Sequence, residues 1–574
     1  MGTSGNRKGY KIFSINTTVR NPKRNYDFLY AFQKFDNKVM DDNNLYLYFF
    51  ELVKNGIYKF TNISESVKNK IENDIPLSND EVRNAIENNP QATGLSGRVM
   101  TQLRSLKDQG LLIFRDSDER GKYLMSISSL GKELLNNPTN ATNIYTKIML
   151  GIHANSPCRV KLLNESCPFL NTIFVINEVN KMWEAMGNEP KGILEHEFAA
   201  FVLSMKDCDY LSAANKIIEY RKKYKYKVDK NYLLNYLNDL DILPLKWETI
   251  MDDYVDDVFR KFEMTGLIIK HGAFSYQYLN FSNYNREKIN IILDTYKNYS
   301  FRKFRNAEEY YAYQSNIILP WETSDIIRRK VIEAKAKVLN LNINPVLTIE
   351  EQEEMLDRYF YNQSLSKAIN RYDNQLIFKE LLILSGTLRI KSKFDDIPEP
   401  LRLEYLLALC LGKKYGTNGL VSNIIYNEEG LPIHCAPASK CDIIYHHVDG
   451  SYIIEPTMQR GRSQQLNSET TNIVRHVTEE EKKTNLKYRV MMVAPLVHVD
   501  VADYFRYKAI SENAKITALS IERTAGLLFD SDTVSILNTN FDEIISIFKA
   551  KPTSDFVDLV NEYKFNLEKI SAAV

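Results

Sequence analysis

The sequence predicts a multidomain α+β protein, and three observations predict it. Amphipathic helices followed by short hairpins occur twice in the first half, charge-rich helices without strands fill 322–375, and strands alternate with helices beyond 386. The 574 residues are enough for three to four domains at about 150 residues each. Boundaries are expected at 1–150, 151–305, 306–385 (a helical linker) and 386–574.

Residues 1–38 hold eight Lys/Arg against two acids, on a chain whose net charge is only +1. A basic end on a neutral chain suits an anionic partner such as DNA. Arg20, Lys23 and Arg24 are the natural phosphate contacts there.

Within 75–140, Ser78-Asn79-Asp80-Glu81 is a capping box that opens one helix. A second helix runs from Leu95 to Gln109 and ends at Gly110, with Val99, Leu103 and Leu106 on one face. Its other face shows Arg98, Thr101, Gln102 and Ser105. Two short strands follow, Leu111–Arg115 and Lys122–Ser126, and a last helix starts near Leu130. A helix followed by such a wing is a winged-helix module, a shape that lays a helix in the major groove, where Arg and Gln side chains read base edges. Residues 190–285 repeat the pattern less clearly, with helices at 194–205, 209–224 and 247–265 and a hairpin across Gly272.

Beyond 386 a compact α/β domain is expected: a helix at 400–411, strands near 420–426, 441–447, 452–457 and 488–494, helices at about 466–482 and 500–512, then a strand at 515–520. Asp449-Gly450, between two apolar runs, is a strong hairpin signal. With these two as the turn, Val448 faces Ser451, Ile444 faces Glu455, and Asp442 lies diagonally across from Glu455 on the same face. Two carboxylates so placed can converge on one divalent ion, as phosphoryl-transfer enzymes hold Mg²⁺. Glu404 sits on the preceding helix amid Leu403, Leu406 and Leu407, where an acid needs a partner. Glu469 and His476 lie two turns apart on one face of the next helix.

Six cysteines without a CxxC pair suit a reducing compartment. The N-terminus lacks the apolar run of a signal peptide, and no run reaches 18 apolar residues, so no membrane span is expected. Heavy use of Asn, Lys, Ile and Tyr suggests a bacterium, and these readings together place the protein in a bacterial cytoplasm.

The segment Pro432-Ile433-His434-Cys435-Ala436-Pro437-Ala438-Ser439-Lys440-Cys441-Asp442-Ile443, then Ile454-Glu455-Pro456-Thr457, Gly461, Gln464, Glu469 and Val474-Arg475-His476, resembles the nuclease domain of the AlwI-like type IIS restriction endonucleases. The opening Ser14-Ile15-Asn16-Thr17-Thr18-Val19-Arg20-Asn21-Pro22-Lys23-Arg24 and the strand Val490-Met491-Met492-Val493-Ala494-Pro495 resemble the same family. The resemblance implies a restriction-endonuclease-like PD-(D/E)xK domain at 386–574, with Mg²⁺ (Mn²⁺ as substitute) held by Asp442, Glu455, Glu404 and the Pro456 carbonyl. It implies that Glu469 and His476 serve the site, and that Thr457 stands where the wider superfamily carries Lys. It further implies double-stranded DNA as substrate, 5′-phosphate and 3′-hydroxyl products, and a cognate DNA methyltransferase as functional partner. Double-strand cleavage would require transient pairing of two chains or a separate small subunit. The alternatives are a strand-specific nicking subunit and a winged-helix DNA-binding regulator with an inactive nuclease-like domain. An enzyme acting on RNA is disfavoured, because A-form RNA hides its major groove.

Pro456 cannot donate to a strand ladder, so an edge strand or bulge is expected at that point.

Overall fold

A computed structural model of the protein describes residues 8–529 except 20, 23, 55–56, 59–77, 88–93, 120, 160–161, 272–277, 395–396, 436–440, 449, 463–464 and 467–469, and beyond 529 only 546, 557–558 and 560–561. The chain divides into two units, Met1–Lys59 with Gln91–Asp357, and Phe60–Pro90 with Arg358–Val574. Among the described residues no helix is long and apolar enough to cross a membrane.

In the first unit, α1 (Arg24–Phe32), β1 (Lys38–Val39) and α2 (Asp42–Lys54) precede α3 (Leu95–Asp108), β2 (Leu112–Asp116), β3 (Tyr123–Ile127) and α4 (Ser129–Asn136). The α3 helix buries Val99, Leu103 and Leu106, the three residues whose spacing marks its apolar face. After it, Gly110 takes φ +79, a left-handed conformation that glycine adopts without strain. The strands form one antiparallel sheet in the order β1-β3-β2, with Phe114 opposite Met125. Ser128 caps α4 by accepting the Gly131 N–H.

Further along, α5 (Pro168–Ala185) buries eleven residues and packs against the helix Tyr210–Tyr224. A second antiparallel sheet, in the order β4-β6-β5, joins β4 (Ile193–Leu194), β5 (Ile268–His271) and β6 (Tyr278–Phe281). Between β4 and β5 lies α6 (Asp256–Glu263); α7 (Arg286–Thr295) and α8 (Asp325–Leu339) follow, and α9 (Ile349–Arg371) begins in this unit. The expected helix at 247–265 is split, with a π-type turn over Thr249–Val255 before α6.

In the second unit, Ser78 caps the helix Asn79–Glu87. The Glu81 N–H donates to Ser78 Oγ, and the Ser78 N–H donates to the Glu81 carboxylate. The expected capping box is therefore present. The main body of this unit comprises α10 (Asn374–Ser385), α11 (Glu399–Tyr415), the strands β7 (Leu420–Ser422), β8 (Ile424–Tyr426), β9 (Pro432–Cys435), β10 (Ile443–His447) and β11 (Gly450–Pro456), then α12 (Thr470–Thr484), β12 (Tyr488–Ala494), α13 (Val499–Ser511), β13 (Ile516–Ser520) and α14 (Ile521–Phe529). Five strands form a mixed sheet in the order β13-β12-β11-β10-β7. The β7, β10 and β11 pairings are antiparallel, whereas β12 joins β11 and β13 in parallel. Strands of a parallel pair need a crossover, and α12 and α13 supply the two crossovers here. The apolar runs of β12 and β13 are buried throughout their centres, as sheets covered on both faces require.

Candidate active site and DNA face

The hairpin β10–β11 pairs Ile443 with Ile454, Ile444 with Ile453, Tyr445 with Tyr452, His446 with Ser451 and His447 with Gly450. This corrects the expected register. Ile444 does not face Glu455, and Val448 does not face Ser451; Val448 lies beyond the last pair of the ladder and is 93% exposed. Gly450 is the first strand residue, at φ +147, where an added Cβ would strike the Arg489 guanidinium. The slip is two residues, so every side chain keeps its face. Its consequence is that continuing the register one step past Ile443–Ile454 sets position 442 directly opposite 455, not diagonal to it.

Backbone contacts fix both acids. The Asp442 carbonyl accepts the Asn423 N–H at 2.7 Å, tying it to the β7–β8 corner. Glu455 is held in β11 between β10 and β12, opposite Met492. The expectation of an edge at Pro456 is corrected as well: β11 lies in the middle of the sheet. Pro456 is its last residue and lies beyond the last pair with β10, so its missing N–H breaks no ladder bond on that side. The Thr457 N–H then donates to the Val493 carbonyl at 2.8 Å, and Thr457 Oγ1 accepts the Gln459 N–H at 3.1 Å.

Glu455 is 5% exposed and Asp442 is half-buried. The α12 helix brings His476 over the hairpin, with Nδ1 3.6 Å from Glu455 Oε1. That Oε1 is buried and has no hydrogen-bond partner among the described residues. Cys441 and Glu480 complete the surroundings. Burial, then the negative charges of Glu455 and Glu480, push the Cys441 thiol well up. Sequence reasoning passed over Glu480, which was readable as one turn beyond His476 on the same helix face.

Glu404 is 8% exposed on α11, which packs on β10 and β11. Among the described residues no three His, Cys, Asp or Glu side chains are grouped closely enough to hold a metal ion, so the expected set Glu404, Asp442 and Glu455 is not gathered as one ligand group. Mg²⁺ needs only one or two carboxylates, water filling its other positions. The opposed positions 442 and 455, with an unsatisfied buried oxygen on Glu455, fit that requirement. Glu469 lies outside the described residues.

In the first unit, Arg98 is exposed on α3, and Thr101 and Gln102 are half-buried. Thr101 Oγ1 donates back to the Gly97 carbonyl at 2.7 Å. Ser105 is corrected: it is fully buried, its Oγ 3.4 Å from Gln109 Nε2, and cannot reach a base. Arg104, which the pattern passed over, is exposed on the same helix. Arg24 is exposed at the start of α1, over the Phe28 ring and donating to the Ile57 carbonyl, while Arg20 and Lys23 lie outside the described residues.

The segment leading to these basic residues is clamped from a distant part of the chain. Ile15 and Asn16 N–H groups donate to Asp257 Oδ2 at 2.8 and 3.1 Å. Arg159 donates to the Ser14 and Ile15 carbonyls at 2.6 and 2.8 Å. Lys261 pairs with Asp257 and donates to the Asn16 carbonyl. Lys261 and Asp257 are both completely buried, and burial holds the Lys261 ammonium below its ordinary pKa despite the carboxylate beside it. Asn16 also reaches Asp108 at the end of α3, 3.3 Å away.

A family model described as AlwI restriction endonuclease matches residues 110–522. No curated protein matches the chain. Among solved structures, the small subunit of the heterodimeric restriction endonuclease R.BspD6I is similar at 16% identity, with 34% of this chain and 96% of that chain covered and a TM-score of 0.26.

The family match spans most of the chain, and the chain belongs to the AlwI restriction endonuclease family. It is accordingly a restriction enzyme, a site-specific nuclease acting on DNA.

Proposed function

We propose that this chain is a type IIS restriction endonuclease of a bacterial cytoplasm. It recognises a short asymmetric duplex sequence and hydrolyses phosphodiester bonds at a fixed distance outside it with Mg²⁺. The observation that carries this reading is the hairpin register that opposes positions 442 and 455, with Glu455 buried and one of its oxygens unsatisfied among the described residues.

Asp442, Glu455 and the Pro456 carbonyl are the groups that would hold Mg²⁺, or Mn²⁺ in its place. Glu404 is assigned to the same site on the resemblance, and its helix packs on both hairpin strands. When bound, the metal supplies an activated water and stabilises charge on the scissile phosphate. His476, 3.6 Å from Glu455, orients that carboxylate and the water or DNA beside it. Thr457, whose hydroxyl is bound to the Gln459 N–H, holds the end of β11 in place. Glu469 is assigned to the same site on the resemblance.

The winged-helix reading of α3, β2 and β3 assigns base contacts to Arg98, Thr101, Gln102 and Arg104. Arg20, Lys23 and Arg24 contact phosphates, which position the duplex without reading it. A cognate methyltransferase protects the host site.

A second reading, strand-specific nicking, follows from the single acid pair of the described sheet, since one site cuts one strand at a time. Linear product would then need a second copy or a small nuclease subunit. Cleavage of a supercoiled plasmid with Mg²⁺, with and without EDTA, tests the function; nicked circles alone favour nicking, and linear DNA favours pairing.

A further inference from the structure

Two thiols that the nuclease reading does not use meet in the first unit. Cys167 is the residue before α5, and Cys208 lies in the turn before the helix Tyr210–Tyr224. Both are free thiols, and the Cys167 S–H donates to the Cys208 sulfur.

The backbone brings them together. The Glu165 N–H donates to the Lys206 carbonyl at 2.7 Å, and Asn171 Nδ2 donates to the Asp207 carbonyl at 3.0 Å. These two bonds tie the chain on both sides of Cys167 to the segment that leads into Cys208. Asn171 is itself fixed, its N–H donating to the Cys167 carbonyl at 2.8 Å and its Oδ1 accepting the Tyr299 hydroxyl at 2.7 Å. Cys208 Sγ lies 3.9 Å from the Glu165 carbonyl oxygen. Cys167 Sγ lies 3.5 Å from His153 Nδ1 and 3.8 Å from the Ser300 carbonyl oxygen. A disulfide requires close approach of two backbone segments with side chains turned toward each other. Thiols in contact, on segments already hydrogen-bonded together, meet that requirement.

The two sulfurs are not equivalent. Cys167 is 3% exposed, whereas Cys208 is half-buried between the exposed Asp207 and Asp209. The Cys167 thiol, and behind it the backbone of Cys167 and Phe301, hold the Cys208 thiol below its ordinary pKa against the effect of burial. A more acidic, more accessible thiol beside a buried one is the arrangement of an attacking and a resolving cysteine.

We propose that Cys208 and Cys167 form a reversible dithiol–disulfide pair, oxidised by a small peroxide, that staples the start of α5 to the turn before the helix Tyr210–Tyr224. The Cys208 thiolate attacks one peroxide oxygen. The S–O bond forms as the O–O bond breaks, and the departing hydroxide takes the proton that Cys208 gave up. The Cys167 sulfur then attacks the Cys208 sulfenic sulfur. The S–S bond forms, the S–O bond breaks, and the departing hydroxide leaves as water with the Cys167 proton. Two thiols have lost two electrons and two protons, and one peroxide has become two waters. A thiol reductant reverses the step.

The test treats the full chain with hydrogen peroxide, alkylates the remaining thiols after unfolding and maps the peptides by mass spectrometry. Wild type should yield a Cys167–Cys208 cross-linked peptide that dithiothreitol removes. Its melting temperature should rise on oxidation by at least about 5 °C, because the bridge constrains the unfolded chain. Cys167→Ala should form no such bridge and should accumulate a sulfenic acid at Cys208, trapped by dimedone. Cys208→Ala should leave Cys167 alkylated. The wild-type peptide map stands whether or not either variant folds. Absence of the cross-linked peptide from oxidised wild type, pairing of either residue with a different cysteine, or undiminished oxidation of Cys167 in Cys208→Ala would overturn the proposal.

Discussion

Glu455 and His476 meet across the second unit, with His476 Nδ1 3.6 Å from Glu455 Oε1. One comes from the end of a central strand and the other from the middle of the crossover helix that follows it. Among the described residues no donor reaches this buried Oε1, and a buried carboxylate oxygen without a donor is costly and calls for another partner.

Glu455→Gln should therefore lose at least about 100-fold in cleavage rate while duplex affinity stays within about threefold, since metal-dependent chemistry is removed and DNA contacts are not. Its melting temperature should be no lower than that of wild type. A large drop in stability with cleavage retained would make Glu455 a structural acid.

Arg98→Ala should cost about 1–3 kcal/mol at one base pair of the recognised site and relax specificity there. Ser105→Ala should leave the cleavage pattern unchanged, because Ser105 is buried. Sequencing of cleavage products from a random library reads both. Equal specificity profiles for Arg98→Ala and wild type would remove Arg98 from the reading set.

Lys261→Met should destabilise the first unit by about 3–5 kcal/mol, because it leaves Asp257 buried without its cation. Adding Asp257→Asn should recover part of that loss, so the double variant is less unstable than the sum of the singles. Chemical denaturation of the four proteins measures this coupling. Strict additivity would show that the pair does not act as the clamp on Ile15 and Asn16.

His153 is 3% exposed among Phe301, Phe304 and Tyr313, and burial, aided by Arg302, holds its pKa down to about 4. The unfolded chain binds the proton near pH 6.5, so the neutral ring favours the fold fully above that pH. This contribution is lost as pH falls from about 6.5 to 4, and is worth up to about 3 kcal/mol. His153→Gln should show a shallower fall in melting temperature over that window. Parallel curves for the two proteins would refute the assignment.

Local pattern was readable, and long-range packing was not. Tyr488–Ala494 is readable to the residue because Val490–Ala494 is an unbroken apolar run closed by Pro495, which is consistent with a strand buried in a covered sheet. The hairpin was readable from its two apolar runs, but its register was misplaced by two. The Asp-Gly pair suggests itself as the turn, whereas Gly450 already pairs with His447. Helical periodicity placed Ser105 on the outer face, yet the end of α3 is enclosed by a polar cluster of Asn25, Gln109 and Tyr145. The clamp on Ile15 joins residues more than 240 positions apart, and no local signal announces it. Glu480 shares a helix face with His476, but only the fold shows that this face meets Glu455.

The most direct test of the nuclease reading is cleavage of a mixed-sequence supercoiled plasmid by wild type and by Asp442→Ala, each with Mg²⁺ and with EDTA. Discrete Mg²⁺-dependent nicks or fragments with wild type, absent in Asp442→Ala that still binds duplex DNA, are the predicted result. Undiminished cleavage by Asp442→Ala, or cleavage by wild type that survives EDTA, would contradict it.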